Sequence, residues 1–208
     1  MKVHRLQLEN IHISLEGKQL LALNAEISGG EVLTVMGPSG VGKSSLLAYL
    51  AGFLAPVFEA SGLTRLDGEV INELPAEQRN VGLLFQDALL FPHLSVGGNL
   101  RFALPATVQD KEARIEQALA SIGLEGFAER DPETLSGGQR SRVALQRLLL
   151  SEPKAVLLDE PFSRLDSHLR REVREFVFAG LKAAGLPAIM VTHDAEDADA
   201  AGGRVIQL

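Results

Sequence analysis

Eight consecutive residues, Gly37-Pro38-Ser39-Gly40-Val41-Gly42-Lys43-Ser44, combine what an anion site requires. Glycines let the backbone curl and aim successive N–H groups at one anion. The pattern G-x-x-x-x-G-K-[ST] is a phosphate-binding loop, in which the lysine (Lys43) reaches the β- and γ-phosphates of a nucleotide and the hydroxyl (Ser44) takes one position on Mg²⁺. Ser45 stands at the start of the following helix, whose positive end faces the same phosphates. A second run, Leu157-Leu158-Asp159-Glu160-Pro161, ends an apolar segment in two carboxylates. Asp159 suits Mg²⁺, directly or through water, and Glu160 suits the polarisation of an attacking water. The competing reading is a pair of solvated acids at a strand end, and a phosphate loop in the same chain weighs against it. A third run, Leu135-Ser136-Gly137-Gly138-Gln139-Arg140, sets a capping serine and two glycines at a helix start. That is a second anion site, about ninety residues from the first. One nucleotide seldom needs two such sites in one chain. Each site therefore completes a neighbour's, in a head-to-tail pair of chains with two nucleotides between them, an arrangement that a C₂ dimer satisfies.

The elements that must carry these residues are legible from periodicity. Val32 to Met36 reads as a buried strand before the loop, and Ser45 to Ala51 as a helix after it. Leu6, Leu8, Ile11 and Ile13 alternate around Asn10, and Leu20 to Ile27 gives another strand. Gly62 to Ile71 is strand and turn, with Asp67-Gly68 the turn signal. Val81 to Phe85 is a strand ending at Gln86. From Ser95 to Ser151 the pattern is mainly helical: Ile115, Ala118, Leu119 and Ile122 share one face behind a capping Asp110. Ala155 to Leu158 and Ala188 to Val191 are short buried strands. Between them lies a helix with Leu169, Val173, Phe176, Val177 and Leu181 on one face, and Arg204 to Leu208 closes the chain as a last strand. Strands alternating with helices predict a parallel α/β core, with a helical insertion in the middle third.

Composition narrows the classes. A chain of 208 residues, 46% hydrophobic and 23% charged, is ordinary globular material. A net charge of −7 disfavours nonspecific binding to nucleic acid or to an anionic membrane. There is no cysteine, which removes disulfides and thiolate metal sites and suits a reducing compartment. The N-terminus lacks a signal-peptide core, and the uncharged run from Ser44 to Phe58 is broken by Gly52 and Pro56 and is too short to span a bilayer. A soluble protein is expected, whose role at a membrane comes through a partner.

The order of these motifs resembles, from end to end, the nucleotide-binding subunit of ATP-binding cassette (ABC) transporters. The phosphate loop at Gly37–Ser44 is followed by a Q-loop at Leu84-Phe85-Gln86-Asp87 and the family signature at Leu135–Arg140. A Walker B strand at Ala155–Glu160, a D-loop at Ser163-Arg164-Leu165-Asp166 and a switch histidine, His193, in Val191-Thr192-His193-Asp194 complete it. The resemblance implies a P-loop NTPase fold. It comprises a RecA-like core with a parallel sheet and an antiparallel β subdomain (1–86 and 154–208), and a helical subdomain carrying the signature (87–153). It implies that Lys43 and the loop N–H groups hold the phosphates of ATP. Ser44 and Gln86 would bind Mg²⁺, supported by Asp159. Glu160 would be the general base and His193 the sensor of the γ-phosphate; the alternative for His193 is a satisfied core histidine. Ser136, Gly137, Gly138 and Gln139 would reach the nucleotide across the dimer, and Asp166 would help join the two sites.

Within the family, the stretch from Gln86 to Leu100 resembles importer ATPases, of systems for thiamine, polyamines, iron, sulfate and molybdate. This implies integral membrane permease subunits, a solute-binding protein, no nucleic-acid partner, and a cytoplasmic place on the inner face of the membrane. Ala88 to Leu94 would form a groove for a short permease helix. Two features depart from the pattern. Leu15 stands where the family usually stacks an aromatic ring on adenine, with Phe58 or a residue of the dimer partner as the alternative cover. The chain also ends at Leu208, where many relatives continue into a regulatory domain. A small P-loop kinase has no use for Ser136–Gln139. ABC ATPases acting on DNA or ribosomes usually carry coiled-coil insertions or two fused cassettes, and a dead scaffold would not keep Lys43, Asp159, Glu160 and His193.

Overall fold

The chain opens with a hairpin, β1 (Arg5–Leu15) and β2 (Lys18–Ser28). Its two turn residues, Glu16 and Gly17, both have positive φ (51° and 75°), the geometry that a two-residue hairpin turn needs. The computed structural model describes residues 3–38 and 40–208, with His168 by its backbone alone. In β1 the register slips between Leu8 and Ile11, where Asn10 adopts φ 51°. This bulge restores phase: Leu6 and Leu8, then Ile11 and Ile13, all fall on the buried face. The odd spacing that the sequence displays around Asn10 thus keeps one strand facing one core.

There follow β3 (Val32–Met36), α1 (Lys43–Ala51), β4 (Phe58–Leu66), β5 (Glu69–Val70), β6 (Val81–Leu84) and the helices α2 (Val96–Ala103), α3 (Lys111–Ala120) and α4 (Gly137–Leu150). The last third is β7 (Ala155–Asp159), α5 (Ser167–Ala184), β8 (Ala188–Thr192), α6 (Ala195–Ala201) and β9 (Val205–Gln207). β4 begins at Phe58 rather than at Gly62, because the segment from 58 to 61 pairs with the far end of β1. The strands form a four-stranded antiparallel sheet, β2-β1-β4-β5, and a five-stranded sheet, β6-β7-β8-β3-β9, whose pairings are all parallel.

The parallel sheet divides the interior by alternation. Ala155 and Leu157 of β7, with Leu33, Val35, Ile189 and Val191, meet α1 and the antiparallel sheet. Val156 and Leu158, with Ala188 and Met190, face Leu145 and Leu148 of α4 and Val173, Val177 and Leu181 of α5. A third cluster joins α2, α3 and α4 around Leu100, Leu119 and Val143. Each such aliphatic chain contributes about 1.5–3 kcal/mol on full burial. α4 serves both the second and third clusters and so ties the helical layer to the sheet. The helices start on side-chain caps: Ser95 for α2, Asp110 for α3, Ser136 for α4, Asp166 for α5 and Asp194 for α6. α1 is held at its other end by Arg79, which is buried and donates to the carbonyls of Tyr49 and Leu50.

Candidate nucleotide site

Because the strands of the second sheet are parallel, their C-terminal ends share one edge. Following the sheet order from β6, that edge carries Gln86, then Asp159 and Glu160, then His193, then the loop from Gly37. Residues up to 156 positions apart in sequence therefore become neighbours through strand pairing alone: Asp159 is in register with Val191, and Met36 with Thr192.

The loop turns on Gly40 (φ 83°) and Gly42 (φ 99°). Gly42 precedes α1 without a side-chain cap, and a Cβ on it would stand 3.1 Å from the Leu20 Cβ. Ser39, expected among the phosphate ligands, lies outside the described residues. Lys43 is buried and its Nζ donates to the carbonyls of Gly37 (2.6 Å) and Pro38 (2.8 Å). An ammonium has three donors, so one remains for a phosphate oxygen. Ser44 Oγ donates to Asp159 Oδ1 at 3.4 Å. Burial, and next the adjacent Glu160 charge, push the Asp159 carboxyl up from its ordinary value; Ser44 and Lys43 pull the other way.

Glu160 adopts φ 45°, an uncommon conformation for a side chain of its size, with its N–H donating to Val191 O at 3.0 Å. Its Oε1 lies 3.2 Å from His193 Nδ1. The His193 side chain is 60% exposed, so it is not a core histidine. Leu15 and Phe58 are directly opposed across β1 and β4. Both line a cleft of about 300 Å³ together with Leu20, Gly40, Lys43 and Glu160. Leu20 was invisible to sequence reasoning, since only the fold brings β2 beneath the loop.

Other expected residues stand apart. Gln86 is exposed, and among the described residues no hydrogen bond joins it to Ser44 or Asp159. Asp166 Oδ1 accepts from Leu169 N at 3.0 Å as the cap of α5. Ser136 and Gln139 close a reciprocal capping box, with Ser136 N donating to Gln139 Oε1 (2.9 Å) and Gln139 N to Ser136 Oγ (3.2 Å). The N–H groups of Gly137 and Gly138 belong to the first turn and have no helical acceptor. Gly138 has a second reason to be glycine: a Cβ there would stand 2.5 Å from the Leu169 Cδ1. None of these four lines the cleft of their own chain.

Comparison with known proteins decides the family. The family described as ABC transporter matches residues 20–163. An uncharacterized ABC transporter ATP-binding protein, YnjD, of Escherichia coli strain K12 is 48% identical over 94% of this chain and 91% of its own length. The chain belongs to the ABC transporter ATP-binding family. This ABC protein is thus an ATP-binding subunit and an ATPase, on the P-loop fold with a parallel sheet and an antiparallel β subdomain. It is importer-like: the thiamine import ATP-binding protein ThiQ of Jannaschia sp. strain CCS1 is 42% identical over 98% of this chain and 88% of the relative. The spermidine/putrescine import ATP-binding protein PotA of Oleidesulfovibrio alaskensis is 41% identical over 88% of this chain, but that covers 49% of PotA. Among the described residues of this ABC ATPase, no helix is long and apolar enough to cross a membrane.

Proposed function

We propose that this chain hydrolyses ATP with Mg²⁺ to drive solute import, as a head-to-tail pair enclosing two nucleotides. The observation that carries the reading is the meeting of Lys43, Ser44, Asp159, Glu160 and His193 on adjacent strand ends. Lys43, already fixed on its own loop, directs its remaining donor at the phosphates, and the backbone N–H groups from Gly40 to Ser45 surround them. The donor set fits Mg²⁺. Ser44 and Asp159 are oxygen ligands within hydrogen-bonding distance, and among the described residues no cluster of three or more His, Cys, Asp or Glu could hold a metal alone. Mg²⁺ favours such partial sites, completed by substrate oxygens and water, and Gln86 would join them. When bound, it neutralises charge on the phosphates.

Glu160 accepts the proton of the attacking water, and its unusual backbone conformation aims the carboxylate off the strand end. His193, in contact with Glu160, meets the γ-phosphate. The signature residues Ser136 to Gln139 lie outside their own chain's cleft, which supports their use by a partner copy, with Asp166 at the seam. The apolar groove beside Gln86 measures about 380 Å³ and is lined by Phe85, Ala88, Phe91, Phe102 and Arg147. A cytoplasmic helix of a permease subunit would seat there in the helix-in-groove mode, holding the chain on the inner face of the membrane while a solute-binding protein delivers cargo. The test is Glu160→Gln. It should bind ATP, accumulate as an ATP-dependent dimer by light scattering, and lose phosphate release. Hydrolysis at the parent rate, or no mass change with ATP, overturns the reading.

A further inference from the structure

Two arginines four residues apart on α5 reach the turn that carries His193. Arg174 Nη2 donates to Asp197 Oδ1 at 2.5 Å, with both side chains almost fully buried. Asp197 Oδ2 accepts from Thr192 Oγ1 at 3.1 Å, and Thr192 Oγ1 accepts from Asp194 N at 3.0 Å. This inner set fastens the residues on either side of His193. A buried ion pair of this kind is fixed, because breaking it strands a charge away from water.

Arg170 makes a different connection. Its Nη1 donates to Asp194 Oδ2 at 3.0 Å, and its Nη2 donates to the carbonyl of Leu165 at 3.0 Å. Asp194 directly follows His193, and Leu165 directly precedes Asp166, the cap of α5. One planar guanidinium therefore spans the His193 turn and the Ser163–Asp166 segment. The Arg170 and Asp194 side chains keep 28% and 24% of their exposure, so this link can adjust where the inner one cannot. A guanidinium is a rigid fork: moving the carbonyl on one prong redirects the other. The imidazole itself is mostly exposed and its only ion-pair contact among the described residues is Glu160, so its aim depends on the turn beneath it.

We propose that Arg170 is a positioning residue that transmits the placement of the Ser163–Asp166 segment to His193, aligning the imidazole with Glu160 when a second copy of the chain bears on that segment. The inference rests on the paired, ATP-hydrolysing reading above. The test is steady-state phosphate release by Arg170→Gln, Arg170→Lys, His193→Ala and the double variant Arg170→Gln/His193→Ala, with ATP-dependent dimerisation followed on a Glu160→Gln background. Arg170→Gln is expected to lower kcat about ten- to hundredfold, the factor that loss of a charge-assisted hydrogen bond carries, with KM for ATP changed by less than about twofold. Arg170→Lys should recover part of the rate. Added to His193→Ala, Arg170→Gln should cost nothing further, since both act through one imidazole. Losses that multiply in the double variant, or a loss of ATP-driven dimerisation together with the rate, make Arg170 a scaffold residue and overturn the inference. If Arg170→Gln does not fold, Asp194→Asn asks the same question, because the amide keeps the α6 cap and drops the charge. A parent without ATPase activity overturns the function and this inference together; a parent that needs Glu160 and His193 but tolerates Arg170→Gln overturns the inference alone.

Discussion

Replacing Phe58 by leucine isolates what one aromatic face contributes to base binding. Leu15 offers apolar contact without an extended π-face, and Phe58 is the residue paired with it across β1 and β4 in the cleft that holds Lys43. A base stacked on an aromatic side chain gains about 1–3 kcal/mol in single-strand nucleic-acid complexes, an upper guide here. Loss of that gain corresponds to roughly fivefold to 150-fold weaker ATP binding. Leucine keeps the apolar volume that the core around Phe58 needs, so the fold should stay within about 1.5 kcal/mol of the parent. The phosphate contacts are untouched, so binding of inorganic tripolyphosphate should not move. Leu15→Tyr adds a ring and should tighten ATP by no more than about 150-fold. Modest discrimination between ATP and GTP is expected in the parent, because apolar contacts and stacking do not read the purine edge. Calorimetric dissociation constants for ATP, GTP and tripolyphosphate, on a Glu160→Gln background to prevent turnover, measure all of this. If Phe58→Leu binds ATP as the parent does, or if ATP binds no tighter than tripolyphosphate, the Leu15–Phe58 pair is not the seat of the base.

If Asp159 helps hold Mg²⁺ as proposed, its raised carboxyl would give metal binding a pH dependence. Below the raised value the group is protonated and competes with the metal, so Mg²⁺-dependent ATP binding should weaken at a higher pH than an ordinary aspartate near 3.9 would cause, and Asp159→Asn should flatten the curve in a titration series. Folding runs the opposite way: with its carboxyl raised in the fold, this group's contribution favours the nucleotide-free fold at low pH and is lost as pH rises through the raised value, which a denaturant series across pH reads. Gly137→Ala, where a Cβ meets no side chain closer than 3.6 Å, should be neutral to about 1 kcal/mol stabilising, whereas Gly138→Ala must push aside the end of the Leu169 side chain and should fall about 1 kcal/mol below it; urea midpoints separate them. Phe102→Asp should abolish co-purification with a permease and leave basal ATPase and thermal midpoint intact, because that ring is 70% exposed. Loss of the fold instead would assign the ring to core packing.

Short-range chemistry was legible and long-range register was not. The loop, the strand ending in Asp159-Glu160 and the caps Asp110 and Ser136 are local patterns, and parallel pairing then carries their neighbourhood almost without further information. The alternation broken at Asn10 was visible as spacing, but its cause, a bulge shared by two pairings, needed both partner strands. Leu15 and Phe58 are 43 positions apart, and nothing in either segment states that they are opposed. The turn of Lys43 onto the carbonyls of Gly37 and Pro38 follows from a loop too tight for periodicity to describe. Arg170 and Arg174 carried a faint signal, two cations at helical spacing beside the apolar stripe of α5, which reads as a solvated edge until β8 and α6 close over it. Gly138 invites an anion-binding reading from its sequence, while its packing against Leu169 is visible only in the fold.

With Glu160 as the proposed general base, its left-handed backbone would set durability against turnover. A non-glycine residue held there costs on the order of 1–3 kcal/mol, a strain that asparagine or glycine would largely relieve. Those replacements also delete the carboxylate opposite His193. Selection of random variants for heat tolerance alone would therefore drift away from glutamate at this codon, and on the proposed role of Glu160 the survivors would be sturdier proteins without their general base. Retaining glutamate there requires selection on the rate itself, which makes position 160 the place where an engineered, hardened form of this chain should be sequenced first.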